Sequence, residues 1–112
     1  EAAAALAAQG ISAEVIDLRT LSLFELDYET IGESLKKTNV MAMVEQAPAS
    51  MTLGPRIACE VQKRFFDYLD APIETLGGLD IPNPVSRRLE AVAVPNTQSI
   101  QNLVLDLVKR KR

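Results

Sequence analysis

The chain has 112 residues, of which 47% are hydrophobic and 24% charged, the size and composition of one domain around one core; disorder and collagen-like structure are excluded. Its 15 acidic against 12 basic side chains give a net charge of −3, the wrong sign for neutralising phosphates, so nucleic acid is not an expected partner. No apolar run approaches the roughly 20 residues that cross a bilayer and no signal-peptide pattern opens the chain, so a cytosolic protein without a membrane partner is expected.

A helix is predicted first, over the alanine-rich stretch Glu1 to Gln9, with Gly10 behind it to supply a left-handed stop. A strand is predicted over Ile11 to Leu18, where Val15, Ile16 and Leu18 are apolar in the manner of a parallel strand covered on both faces. After a loop, Asp27 caps a second helix, with Glu29 and Glu33 near its start, Lys36 and Lys37 near its end, and Ile31 and Leu35 on its inner face. Val40 to Val44 is short and wholly apolar, which suits a buried strand; Glu45 to Leu53 is read as the loop behind it.

Gly54 and Pro55 open a third helix, which carries Ile57, Ala58, Val61, Phe65 and Leu69 on one face and stops near Asp70 because Pro72 follows. Ile73 to Leu76 is a third strand, closed by Gly77 and Gly78. Leu79 to Ser86 holds two prolines and reads as an extended loop, followed by a short helix over Arg87 to Ala91. Behind Pro95, Asn96 and Thr97 a last helix begins, with Ile100, Leu103, Val104, Leu107 and Val108 at amphipathic spacing and a basic end at Lys109 to Arg112. This alternation predicts an α/β fold of three layers, α/β/α, about a largely parallel sheet.

Chemistry is sparse. With 0 histidines and 1 cysteine the chain lacks the usual general base, the commonest metal ligand, any internal disulfide and any thiolate cluster. Glu45, directly behind a predicted strand, is the best single functional candidate; the competing and weightier reading is a carboxylate that bonds backbone N–H groups or an arginine. Ser50 and Thr52 read as helix caps rather than nucleophiles, and Gly77-Gly78 as a turn rather than a phosphate-binding motif. Cys59 reads as a small buried hydrophobe, and Phe65, Phe66 and Tyr68 as packing residues. Arg87, Arg88 and the terminal Lys109, Arg110, Lys111 and Arg112 form basic clusters, the terminal one serving the helix dipole and solubility first and an acidic partner second.

The runs GISAEVIDLRTLS, LDYETIGESLKKTN, VEQAPAS, FFDYLDAPIETLGGLDIPNPVSRRLE and VPNTQSIQNLVLDLVK occur in that order and cover nearly the whole chain. They resemble the transketolase C-terminal-like domain of the beta subunit of the decarboxylating component of 2-oxo-acid dehydrogenase complexes. Pyruvate dehydrogenase is the commonest member of that family, and the branched-chain and acetoin enzymes look similar over this region. The resemblance implies a parent enzyme of two alpha and two beta chains that uses thiamine diphosphate and magnesium to decarboxylate a 2-oxo acid and passes the acyl group to a lipoyl arm. It places the parent in a bacterial cytoplasm or, if eukaryotic, in the mitochondrial matrix.

The resemblance also implies that catalytic, cofactor-binding and metal-binding residues lie outside this chain, so that the piece alone is inactive. The domain's task would be assembly: packing against the alpha subunit and a second beta subunit, and docking the subunit-binding domain of the dihydrolipoyl acyltransferase. Asp70, in YLDAP, matches an acid that the family presents to that basic domain. Arg110 stands near the chain end, where the family often carries a neutral residue whose carboxylate joins the docking; positive charge here argues against docking at that point. SMTLG replaces a glycine-rich turn of the family. The equivalent domain of a transketolase or 1-deoxyxylulose-5-phosphate synthase, or a free-standing α/β interaction module, are the alternatives.

Residues 1–112 are thus expected to be a single domain that is truncated at its N-terminus and lacks the fold's first strand or strands. In the resembled fold such a strand lies between those matching Ala13 to Leu18 and Val40 to Val44. Two bare strand edges are costly, so the gap is expected to close, by direct pairing of these segments or by a strand from another copy or an upstream piece.

Overall fold

The computed structural model describes residues 1–111; Arg112, grouped above with the basic end, lies outside the described residues. Five helices and two strands follow in the order α1 (Ala2–Ala7), α2 (Tyr28–Thr38), β1 (Ala42–Pro48), α3 (Gly54–Phe65), β2 (Glu74–Gly78), α4 (Arg87–Ala93) and α5 (Thr97–Arg110), with single 3-10 turns after β1 and after α3. β1 and β2 pair in parallel, Ala42 beside Glu74 and Val44 beside Leu76, with an irregularity before Pro48 meets Gly78.

Local chemistry sets the helix ends. Gly10 is left-handed at φ 81°, and the Ile11 N–H returns to the Leu6 carbonyl, closing α1. Asp27 accepts from the Thr30 N–H at 3.0 Å and from its hydroxyl at 2.6 Å, the expected cap of α2. That helix ends on Asn39, left-handed at φ 62°, whose N–H reaches Leu35. Asn96 and Ser99 form a reciprocal capping box at the head of α5.

The strand alternation sorts the helices onto two faces. Met43 and Thr75 approach Gly54 of α3, whereas Glu74, the next residue along β2, meets Arg110 of α5. On the first face α2 packs on α3, burying Ile31, Leu35, Ile57 and Val61 with Leu26 and Met43 in one cluster. Gly32 lets the two helices come so close that a Cβ there would overlap the Phe65 ring, and Arg64 stacks on Tyr28 at 4.4 Å. On the second face α1 packs on α5, and Leu6 and Leu107 are buried.

The three-layer reading therefore holds, but the sheet is smaller than expected. The predicted strand over Ile11 to Leu18 is not formed: that segment carries no ladder, and Val15 and Ile16 are exposed. A strand exists only where a neighbour takes its N–H and C=O groups, and a cleft of about 1160 Å³ separates this segment from β1. Of the expected ways of closing this gap, direct pairing of the two segments is not found, and the gap stays open within the chain. β1 also runs further than expected, so Glu45 lies within a strand rather than in a loop. α3 gives way to a 3-10 turn over Phe66–Tyr68, short of the predicted stop near Asp70.

Candidate functional site

Glu45 proves to be a structural acid. Its side chain reaches forward across the turn after β1 and accepts hydrogen bonds from the N–H groups of Leu53, at 3.0 Å, and Gly54. These are free donors at the head of α3, where negative charge is favoured, so Glu45 caps the helix that β1 feeds. Ser50 and Thr52 do not share that task, contrary to the sequence reading. Ser50 donates through its N–H and its hydroxyl to Asp80, at 2.9 and 2.8 Å, tying the turn after β1 to the loop after β2. Those bonds hold the Asp80 carboxyl below the usual carboxylate range. Thr52 donates to Ala49.

Cys59 is exposed rather than buried. The helical period explains it: Ile57 and Val61 point inward, and a residue midway between them points out. It lies in a shallow depression with Pro55, Lys63, Phe66 and Pro72. Phe66 and Tyr68 are largely exposed as well, and only Phe65 joins the core cluster. Among the described residues no three His, Cys, Asp or Glu side chains gather into a group that could hold a metal ion. Glu45 and Asp80 are both engaged by backbone donors.

The docking candidates Asp70 and Arg110 lie at the opposite end of the sheet from Glu45. The Asp70 N–H donates to the Asn39 carbonyl at 2.8 Å, and the Asn39 side chain donates to the Tyr68 carbonyl at 3.0 Å, so the segment before β2 is clasped to the end of α2. The Asp70 side chain is half-buried. Arg110 bridges Glu74, the first residue of β2, at 2.8 Å and Asp106 at 3.0 Å. The hydrogen bond that Arg110 donates to Glu74 and the charge of Asp106 raise the guanidinium further above its ordinary value. Asp70 and Arg110 thus share one end of the sheet without bonding each other. The charge of Arg110, which from sequence argues against docking at that point, is compensated within the chain. No sequence period signalled that pairing, because it joins residues 36 apart by number in the chain, Glu74 and Arg110, through tertiary packing alone.

A different surface is apolar. Leu79, Ile81, Val85, Leu89 and Val92, on the loop after β2 and on α4, are all exposed, Val85 fully so at 102%. Where such exposed apolar side chains form one patch, that patch is a candidate interaction face. Arg87 and Arg88 border it.

The chain thus combines a parallel sheet clad by helices, an acid and a compensated arginine at one end of that sheet, and several exposed apolar side chains on the loop after β2 and on α4. Residues 1–100 match the family described as "Transketolase, C-terminal domain", and the chain belongs to that family. Its relatives narrow the class. It is 46% identical over 112 residues to the mitochondrial pyruvate dehydrogenase E1 component subunit beta of Dictyostelium discoideum, covering 100% of this chain and 31% of that protein. The subunit beta of Rhizobium meliloti is 44% identical over 93% of this chain and 22% of its own length. The mitochondrial subunit beta of Saccharomyces cerevisiae is 42% identical over 88% of this chain and 27% of its own. The chain spans less than a third of each of these relatives, and they fit the 2-oxo-acid dehydrogenase reading rather than that of a transketolase, a deoxyxylulose-phosphate synthase or a free-standing module.

Proposed function

We propose that residues 1–112 are a single assembly and docking domain of the beta subunit of a pyruvate dehydrogenase that decarboxylates pyruvate with thiamine diphosphate and magnesium. The observation that carries this reading is the similarity to pyruvate dehydrogenase beta subunits along the whole chain. Cofactor binding and catalysis belong to parts of the enzyme outside this chain, and this domain contributes no group to the reaction. Its exposed apolar flank from Leu79 to Val92 packs against the alpha subunit or the second beta subunit of a heterotetramer. Asp70 meets the basic subunit-binding domain of the dihydrolipoyl acyltransferase. Arg110, neutralised by Glu74 and Asp106, holds the end of α5 against β2 without repelling that partner. The parent enzyme works in a bacterial cytoplasm or in the mitochondrial matrix, as the bacterial and mitochondrial relatives suggest.

The test is titration of the acyltransferase subunit-binding domain into the assembled enzyme. Asp70→Ala is expected to weaken association by about 1 to 3 kcal/mol and to leave decarboxylation with an artificial acceptor intact. An affinity unchanged across a range of salt concentrations removes Asp70 from the docking surface. Stoichiometric, magnesium-dependent binding of thiamine diphosphate by the 112-residue chain alone would overturn the non-catalytic reading.

A further inference from the structure

The segment between α3 and β2 alternates between core and surface. Leu69 is extended, at φ −89° and ψ 123°, and packs against the core, and Ala71 is buried. The residues on either side of Leu69, Tyr68 and Asp70, therefore stand on one side of the backbone, away from the core. Asn39, at the end of α2, holds both: its carbonyl accepts from the Asp70 N–H at 2.8 Å and its side chain donates to the Tyr68 carbonyl at 3.0 Å. Tyr68 is 43% exposed, too open for the packing residue that its type suggests.

The Tyr68 ring already attracts a cation. Lys36 places Nζ 5.7 Å from its centroid, as Arg64 does at 4.4 Å over Tyr28. Lys36 is itself bridged to Glu33 at 2.7 Å, so its charge is offset and does not bar a second cation. Asp70 has no basic partner among the described residues. An acid beside an aromatic face suits a guanidinium above all, because that group is planar, bonds a carboxylate through two N–H groups and stacks on a ring. The ammonium of lysine is a point charge without that fork.

We propose that Tyr68 is a second docking residue and sets the choice of cation: an arginine of the basic partner bonds Asp70 and lies over the Tyr68 ring, so arginine is preferred to lysine at that contact. The inference rests on the docking role proposed for Asp70 and adds to it the aromatic contact.

The experiment is titration of the acyltransferase subunit-binding domain into the assembled enzyme carrying Tyr68→Leu, Tyr68→Phe or Asp70→Ala. Tyr68→Leu is expected to weaken association about 2- to 5-fold, and Tyr68→Phe, which keeps the ring, to leave it nearly unchanged. Exchanging the arginines of the subunit-binding domain for lysine one at a time is expected to find one whose loss weakens binding to the unaltered enzyme but not to Tyr68→Leu, the coupling that marks a direct contact. The absence of any such arginine overturns the inference. Weakening by Asp70→Ala with no effect of Tyr68→Leu also overturns it and leaves the docking role standing, whereas no effect of either removes both. Equal weakening by Tyr68→Phe and Tyr68→Leu overturns it too, since the hydroxyl and not the ring would then be the contact.

Discussion

The region built on β1, α3 and β2 and the segment of residues 11 to 26 are both rich in apolar residues but have different outcomes. In the first, Val44 and Leu76 stand side by side across a parallel ladder, and Ile57 and Val61 of α3, on the other face of the sheet, are almost wholly buried, at 1% and 0% exposure. In the second, Val15, Leu21 and Phe24 stay in solvent, and the segment is tethered by side chains: Glu14 accepts from Ser34 at 2.7 Å and from Lys37 at 3.2 Å. Strand-forming residue types do not make a strand by themselves. The ladder is a tertiary product, and a segment without a neighbour keeps its sequence preference while losing its structure.

The contrast is sharpest in the core. Ile57→Ala is expected to cost about 2 to 5 kcal/mol in urea unfolding, and Val15→Ala less than about 0.5 kcal/mol. Similar costs at the two positions would show that the loose half is as well packed as the other. Gly77→Ala comes next, because its Cβ would stand 2.7 Å from the Ala49 backbone, 2.9 Å from Thr52 Cγ2 and 3.0 Å from the Ala47 carbonyl. Backbone cannot swing aside as a side chain does, so a loss of about 1 to 3 kcal/mol is expected, together with a looser turn after β1. A Gly77→Ala variant with unchanged unfolding would contradict the close packing of that turn.

Glu45→Ala removes the acceptor for Leu53 and Gly54 and is expected to cost about 0.5 to 2 kcal/mol, with fraying of the first turn of α3 visible as faster amide exchange there. Glu45→Gln keeps one acceptor oxygen and is expected to lose less. An effect on a remote helix, with α3 intact, would refute the capping role.

Acid affects both halves more mildly. The hydroxyl and N–H of Thr30 hold Asp27 below the usual carboxylate range, the N–H and hydroxyl of Ser50 do so for Asp80, and Ser34 followed by Lys37 does so for Glu14. Folded-state values lower than unfolded ones give stability that is complete above the unfolded values and is lost as pH falls through the folded ones. The urea midpoint is therefore expected to hold steady near neutrality and to decline from about pH 4 downward. In Asp80→Asn the part of that decline that belongs to the turn after β1 should disappear, which is read by following exchange at Ser50.

Much of this was legible in the chain. The cap at Asp27, the stop at Gly10, the start at Asn96 and the inward faces of α2 and α3 are local, and each is written within a turn or two of sequence. The parallel α/β layering followed from the alternation of element types, and the family from runs that span the chain. What escaped was set by tertiary position. Residues 11 to 18 carry a strand-like pattern but form no strand, because ladder pairing is decided by tertiary position and not by a local pattern. Cys59 was placed by its residue type although the helical period of Ile57 and Val61 already turned it outward. Glu45 was rightly weighed toward a backbone-bonding acid, but its partners became visible only once β1 and α3 were joined.

Limited trypsin digestion of the 112-residue chain tests the unequal halves most directly. Arg19 lies in the exposed segment at φ 58°, whereas Arg56, Lys63 and Arg64 lie on α3, whose inner face holds the core. Cleavage tracks local opening, so cutting after Arg19 is expected to run at least about 10-fold faster than cutting after Arg56 or Arg64, with α3 and both strands surviving together in one fragment. Equal rates at Arg19 and within α3 would contradict the account, because they would mean that the chain opens as one unit and that the segment beside the cleft is held as firmly as the paired strands.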